Sequence, residues 1–173
     1  QASITGLIYL FGGGGIKMII IIIALGLFLD RVSKVWAQSA LYPDKEIVII
    51  KNIFSFEYLE NKGAAFGIFQ NRQTFLIIIT VIVTGAIIYY LIKYKPESVL
   101  LKISLAMIIS GAFGNLFDRI VYKYVVDFIL CHYKDVYYFP TFNVADMFVT
   151  CGTVLLAVYL IITPEDKLLK REE

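Results

Sequence analysis

Residues 74–92, TFLIIITVIVTGAIIYYLI, form an uninterrupted apolar run that decides the fold of this chain. Its length is close to the ~20 residues that an α-helix needs to cross the ~30 Å hydrocarbon core of a bilayer. Residues 18–37, 99–117 and 146–163 form three similar runs. Because lipid cannot satisfy unpaired backbone polar groups, each run is expected to be a helix. The sequence therefore predicts a mainly α-helical membrane protein with four transmembrane helices.

Composition supports this class. The chain has 173 residues, of which 59% are hydrophobic and 17% charged, whereas soluble domains are about 45–50% apolar. The formal net charge of +2 gives no indication of a nucleic-acid partner. The cysteines, Cys131 and Cys151, and the single His132 have no metal-ligand spacing, so neither a metal nor another cofactor is expected.

The chain is expected to contain one domain. Gln1 and the glycines at 12–15 indicate that residues 1–15 are an appended or tethered segment with a glycine linker. Residues 16–173 then form a single polytopic membrane domain. Basic residues in short flanks mark the cytoplasmic side, and they fall at Lys17, in the 93–98 connection and in the C-terminal tail. Both termini are therefore predicted to be cytoplasmic.

The segments between the runs have a different pattern. Residues 45–60 are rich in β-branched and aromatic residues, which predicts strands of a small extracytoplasmic sheet at the membrane surface. Residues 64–69 are too short to span and are expected to form a short interfacial helix or flap. A second mixed stretch occupies 120–145. Both stretches lie on the outer side.

Acidic residues lie at the ends of these runs, on the outer side. Asp127 is a lone acid in an apolar strand-like segment, and Asp146 opens the fourth run. Carboxylates at membrane depth are costly and usually functional. Two adjacent acids would share one proton, so one can activate water while the other protonates a carbonyl oxygen. The alternative is that each acid caps a helix or pairs with a base.

Other polar residues near the same depth have several interpretations. Asp30 and Lys34 are four residues apart, on one helix face, and are predicted to form a structural ion pair. Asp118 and Arg119 could anchor the interface, or Arg119 could hold a substrate carbonyl or phosphate while Asp118 fixes its rotamer. Three amides could satisfy loop backbone or hold an extended peptide: Asn61, Asn115 and Asn143. Gly111 and Gly114 favour close helix packing.

Five blocks of sequence resemble one known family. They are Asp30-Arg-Val-Ser-Lys34, Asn61-Lys-Gly-Ala-Ala-Phe-Gly67, Gly111-Ala-Phe-Gly-Asn-Leu-Phe-Asp-Arg119, Val125-Val-Asp-Phe128 and Phe142-Asn-Val-Ala-Asp146. In order and spacing they resemble the bacterial lipoprotein signal peptidases (signal peptidase II).

The resemblance implies an intramembrane aspartyl endopeptidase of the bacterial inner membrane, with its site near the outer face. It would remove signal peptides from prolipoproteins by cleaving before a diacylglyceryl-modified cysteine. It implies Asp127 and Asp146 as the catalytic pair. The residues implied to bind substrate or support the site are Asp30, Lys34, Asn61, Gly63, Gly111, Asn115, Asp118, Arg119, Asn143 and Ala145. Prolipoproteins and membrane lipids are the expected partners, and a monomer is expected.

Two other classes of protein would also carry acids or aromatic residues here. A proton-coupled transporter usually has internal repeats and midplane sites, whereas these acids crowd one surface and the runs show no repeat. A membrane scaffold or lipid-binding protein would explain the aromatic residues but not two lone acids.

Overall fold

A computed structural model describes residues 14–64, 68–134 and 136–164. Most of the predicted appended segment and the basic C-terminal tail therefore lie outside the described residues. So do residues 65–67, which are half of the segment 64–69 predicted as an interfacial helix or flap. Those predictions remain expectations.

Four long helices contain the four apolar runs. They are α1 (Gly14–Leu41), α2 (Gln73–Tyr94), α3 (Val99–Val121) and α4 (Val144–Ile162). The first helix begins at Gly14, so two glycines of the predicted linker are helical. By length and composition α2, α3 and α4 can cross a membrane, with mean hydropathy of 2.7, 1.7 and 2.1. A mainly helical membrane fold is thus confirmed, with three candidate spans.

The first helix differs from these three in its charge. Its 28 residues include Lys17, Asp30, Arg31 and Lys34. Asp30 and Lys34 are only 4% and 0% exposed. The apolar residues of the helix, such as Phe28 and Leu29, face outward instead. This arrangement, polar inside and apolar outside, is the one expected of helices in lipid.

The third helix is the centre of the bundle. It packs against all three other helices, most extensively against α4. Half of its apolar membrane-crossing stretch is buried inside the structure, compared with 11% of that of α2 and 17% of that of α4. Small residues on α3, including Gly111 and Gly114, allow this close approach because they leave room for neighbouring backbone. Helix α3 therefore holds the facing residues of α1 and α4 in fixed positions.

A small antiparallel sheet sits at one end of the bundle. Its strands are β1 (Ile47–Ile50), β2 (Phe54–Asn61), β3 (Val125–Tyr133) and β4 (Tyr137–Tyr138), in the order β1-β2-β3-β4. The predicted strands in 45–60 are confirmed as β1 and β2. Trp36 of α1 packs edge-on against Phe56 and Phe128, at 5.2 and 6.0 Å between ring centroids. These contacts fix the sheet against the end of α1.

Candidate active site

Asp127 reaches the site from the start of strand β3. The first four residues of this strand are all buried, and Asp127 is 1% exposed. The register places it opposite Leu59 of β2, with Asn61 opposite Val125. Because side chains on one strand face alternate sides, Leu59 and Asn61 lie on the same face of β2. The sheet thus brings Asn61 beside Asp127.

Asp146 reaches the same place from the first turn of α4. Asn143 is the N-cap, and its side-chain oxygen accepts a hydrogen bond from the backbone N–H of Asp146 at 3.0 Å. The Asp146 Oδ2 accepts one from the backbone N–H of Asn143 at 3.2 Å. This capping box shows that the capping interpretation holds in part for Asp146. Only one of its carboxylate oxygens is used in the cap.

Amide donors occupy all four oxygens of the two carboxylates. Asn143 Nδ2 donates to Asp127 Oδ1 at 2.6 Å, and Asn61 Nδ2 donates to Asp127 Oδ2 at 2.8 Å. Asn115 Nδ2 donates to Asp146 Oδ1 at 2.7 Å, while the Asn143 backbone supplies the bond to the other oxygen. Asn143 therefore touches both aspartates, and the two carboxylates belong to one hydrogen-bonded unit.

The orientation of these amides is fixed by groups that can only donate. Gly63 N–H donates to the side-chain oxygen of Asn61 at 2.8 Å. The Asn115 oxygen accepts from Lys34 Nζ at 3.1 Å and from Asn143 Nδ2 at 3.2 Å. An amide flip would turn an NH₂ group towards these donors and lose the bonds. Each NH₂ group is consequently held pointing at a carboxylate.

A buried ionic cluster lies behind Asn115. Lys34 Nζ is 2.9 Å from both Asp30 Oδ2 and Asp118 Oδ2, which confirms the predicted Asp30–Lys34 ion pair. Arg31 forms an ion pair with Asp118 Oδ1 at 3.0 Å, and its guanidinium lies over the ring of Phe117. The cluster balances two cations with two carboxylates, which offsets the cost of burying them.

Asp118 and Arg119 have different partners. Asp118 contacts Lys34 and Arg31, so it does not set the rotamer of Arg119 as one interpretation proposed. Arg119 instead donates to the Gly63 carbonyl at 3.0 Å and to the Asn115 carbonyl at 3.3 Å. The residue is only 9% exposed and lines the cavity described below. Arg119 thus ties the turn after β2 to α3.

The start of α4 lies close to α1 and α3. The backbone N–H of Ala145 donates to Asp30 Oδ1 at 3.0 Å. A Cβ added to Gly114 would lie 2.6 Å from Asp30 Oδ2, and one added to Gly111 would overlap the Ala145 carbonyl oxygen. Glycine at 111 therefore lets the start of α4 lie against α3, and glycine at 114 leaves room for the Asp30 carboxylate.

The pKa of Asp127 differs from that of an ordinary carboxyl. Burial raises it most, and the charge of Asp146 raises it further, to about 7, although the hydrogen bonds from Asn61 and Asn143 oppose this shift. Asp127 is thus able to give or take a proton at physiological pH.

The aspartates open into a cavity of about 850 Å³. One arm follows the outer side of α4, where Met147, Thr150 and Cys151 are exposed. The other arm follows the sheet, along Glu57, Leu59, Leu130 and residues 138–142. Within the described ranges, no three His, Cys, Asp or Glu side chains are grouped so as to hold a metal ion. The cavity suits an extended chain that passes the aspartates.

Comparison with known proteins gives the family. The family model described as signal peptidase (SPase) II matches residues 22–162. The chain belongs to the signal peptidase II family. The lipoprotein signal peptidase of Clostridium novyi (strain NT) is 56% identical over 83% of this chain and 97% of its own length. The one from Pseudomonas aeruginosa is 39% identical over 75% of this chain and 79% of its own.

Two solved structures of bacterial membrane enzymes share this fold. A bacterial membrane enzyme determined by the in meso method at 2.3 Å resolution is 31% identical, with a TM-score of 0.78 over 84% of this chain and 88% of that chain. A second, at 1.9 Å, is 30% identical, with a TM-score of 0.76 over 86% and 96%. The family resemblance expected from the five sequence blocks is confirmed.

The structure brings the ten residues expected to support the site into one connected region around Asp127 and Asp146. Sequence reasoning missed the residues of the sheet arm, including Glu57 and Thr141. The signal was present in part, because Leu59 and Asn61 alternate along one strand. Glu57 lies at the register shift between Phe56 and Leu59, so alternation did not indicate its direction. What was missing was the pairing that turns this face towards the cavity.

Proposed function

We propose that this protein is an aspartic endopeptidase that removes signal peptides from diacylglyceryl-modified prolipoproteins, cleaving before the lipidated cysteine, with Asp127 and Asp146 as catalytic residues. The observation that carries the assignment is that Asn143 hydrogen-bonds both carboxylates, at 2.6 and 3.2 Å, at the wall of one cavity. Family membership supports the reaction class.

The two carboxylates would act as a pair that shares one proton. The ionised member takes a proton from water as the water oxygen attacks the scissile carbonyl carbon, and the protonated member donates to the carbonyl oxygen. As the tetrahedral intermediate collapses, the C–N bond breaks and the leaving nitrogen takes up a proton. The amides of Asn61, Asn115 and Asn143 hold both carboxylates in place throughout, so no reorganisation is needed during the reaction.

The burial of the charges in α1 supports a fourth span. Two cations, Lys34 and Arg31, neutralise two carboxylates, Asp30 and Asp118, inside the bundle. Helix α1 can therefore cross a bilayer beside the three other helices. We place both termini and Lys93 in the cytoplasm of the bacterial inner membrane, by the positive-inside rule. The sheet and the aspartates then lie near the outer face, where a lipidated cysteine would reside. We expect the protein to act as a monomer.

Substitution of each aspartate tests the assignment. Asp127→Asn and Asp146→Asn keep the size of the side chain and remove the acid. Loss of general acid–base assistance is worth about 10²–10⁴-fold, so cleavage of a diacylglyceryl-cysteine peptide should fall by at least that much while the peptide still binds. Asp44→Asn, in an exposed loop, is the matched control and should cleave normally.

The same assay separates the peptidase from the other classes of protein. Normal turnover by either site variant would refute the catalytic pair. Absence of cleavage by the unaltered protein, with retained lipid binding, would favour a scaffold or lipid-binding protein instead.

A further inference from the structure

The sheet arm of the cavity contains one charged group that the proposed reaction does not use. Glu57 lines this arm, and of the described residues that line the cavity, it is the one carboxylate besides the two aspartates. It lies at the register shift of β2, between Phe56, which pairs with Ile129, and Leu59, which pairs with Asp127. At about 3.3 Å per residue, the Glu57 backbone is therefore within roughly 7 Å along the strand from the level of Asp127.

A neighbouring hydroxyl holds this carboxylate. Thr141 Oγ1 donates to Glu57 Oε1 at 2.8 Å, and Thr141 also lines the cavity. A carboxylate can accept about four hydrogen bonds, and among residues 14–64, 68–134 and 136–164 it forms no ion pair. Glu57 is therefore an oriented acceptor with unused capacity on the cavity wall.

The two arms of the cavity differ in what they can hold. Met147, Thr150 and Cys151, which line one arm, belong to α4, a helix that can cross a membrane. This arm therefore suits the apolar signal segment or an acyl chain. The polar mature chain cannot stay in hydrocarbon. It must leave along the other arm, past Glu57.

We propose that Glu57, oriented by Thr141, forms a subsite for the two residues that follow the lipidated cysteine, and that this subsite favours basic or hydrogen-bond-donating residues over acidic ones. The proposal rests on the proposed function. Opposite charges attract across the subsite and like charges repel, and the partial exposure of Glu57 limits the expected preference to about three- to tenfold.

Competition between two substrates tests this subsite. Two diacylglyceryl-cysteine peptides, identical except for Lys-Lys or Glu-Glu after the cysteine, are cleaved together by the full-length protein in uncharged detergent micelles. The ratio of the two products gives the ratio of kcat/KM values, and it does not depend on how much of a variant is folded. The unaltered protein should prefer the Lys-Lys peptide about three- to tenfold.

Variants of the subsite should change this ratio in a defined order. Glu57→Gln should bring it close to one, Glu57→Lys should invert it, and Thr141→Val should reduce it. Glu60 lies three residues further along the same strand and is exposed, and it is not among the described residues that line the cavity. Glu60→Gln should therefore keep the ratio of the unaltered protein.

The outcomes separate the subsite from the reaction itself. An unaltered protein without preference, or a Glu57→Gln ratio equal to that of the unaltered protein, would overturn the subsite. If Glu57→Lys does not fold, Glu57→Gln and Thr141→Val still decide the matter. If the unaltered protein cleaves neither of these peptides nor a Ser-Ser peptide, it is the proposed function that fails.

Discussion

Lys34 offers the sharpest test of how the site is held together. Its ammonium is fully buried and contacts Asp30, Asp118 and the Asn115 oxygen at 2.9, 2.9 and 3.1 Å. Lys34→Met keeps most of the volume and removes the charge. Because one buried carboxylate is then uncompensated, the free energy of unfolding should fall by about 3–5 kcal/mol.

The same substitution should act on catalysis through Asn115. Without the ammonium, the Asn115 oxygen loses one of its two donors, and the amide is less firmly held towards Asp146. A hydrogen bond to a charged group is worth about 1.5–3 kcal/mol, so kcat should fall by about 10- to 150-fold, at 1.4 kcal/mol per tenfold. KM should change less, because Lys34 lies behind the amides and does not line the described cavity wall.

A charge-balanced double variant separates stability from catalysis. Lys34→Met with Asp30→Asn removes one cation and one carboxylate, so thermal unfolding in detergent should recover towards that of the unaltered protein. The kcat should stay low, because the double variant does not restore the donor to Asn115. Lys51→Met, at an exposed lysine, is the control. Recovery of kcat together with stability would refute the orienting role and leave Lys34 as a charge-balancing residue only.

Two further predictions follow from the geometry of the site. The kcat/KM should fall as pH rises above about 7, because the raised pKa of Asp127 means that its proton is present below that value and lost above it; a pH–rate profile that stays flat from pH 6 to 9 would contradict the shared proton. Gly111→Ala should lower both activity and thermal stability, because the added Cβ would overlap the Ala145 carbonyl oxygen and push α4 away from α3. Gly85→Ala meets nothing within 4 Å and should be tolerated, with a gain of up to about 1 kcal/mol.

Much of the fold could be predicted without coordinates. The apolar runs gave helices within a few residues of their observed ends, since lipid leaves the backbone little choice but to satisfy its own hydrogen bonds. The strands in 45–60 followed from β-branched and aromatic residues. The charged residues of α1 were harder: the four-residue spacing predicted the Asp30–Lys34 ion pair, but neither its burial nor the second contact of Lys34 with Asp118. Only the packing against α3 shows that Asp30 and Lys34 face inward.

The two aspartates of the proposed catalytic pair could be singled out from sequence, but their hydrogen bonds could not. Asp127 and Asp146 stood out because an isolated acid beside hydrocarbon is costly. Their amide partners come from other elements: Asn61 is 66 residues from Asp127, and Asn115 is 31 residues from Asp146. A residue type indicates that a side chain can donate, but not which acceptor the fold brings to it.

Sequence by itself thus determined the class of protein, its family and the pair of acids, because hydrophobic length, motif order and an isolated charge are properties of the chain read in one dimension. Only the tertiary structure decided that each of the four carboxylate oxygens accepts a hydrogen bond from a different amide N–H. It also decided that Lys34 orients the Asn115 amide and that Glu57 lines the cavity. Those features depend on strand register and helix spacing, where a shift of one residue or a few ångströms would turn each side chain to a different partner.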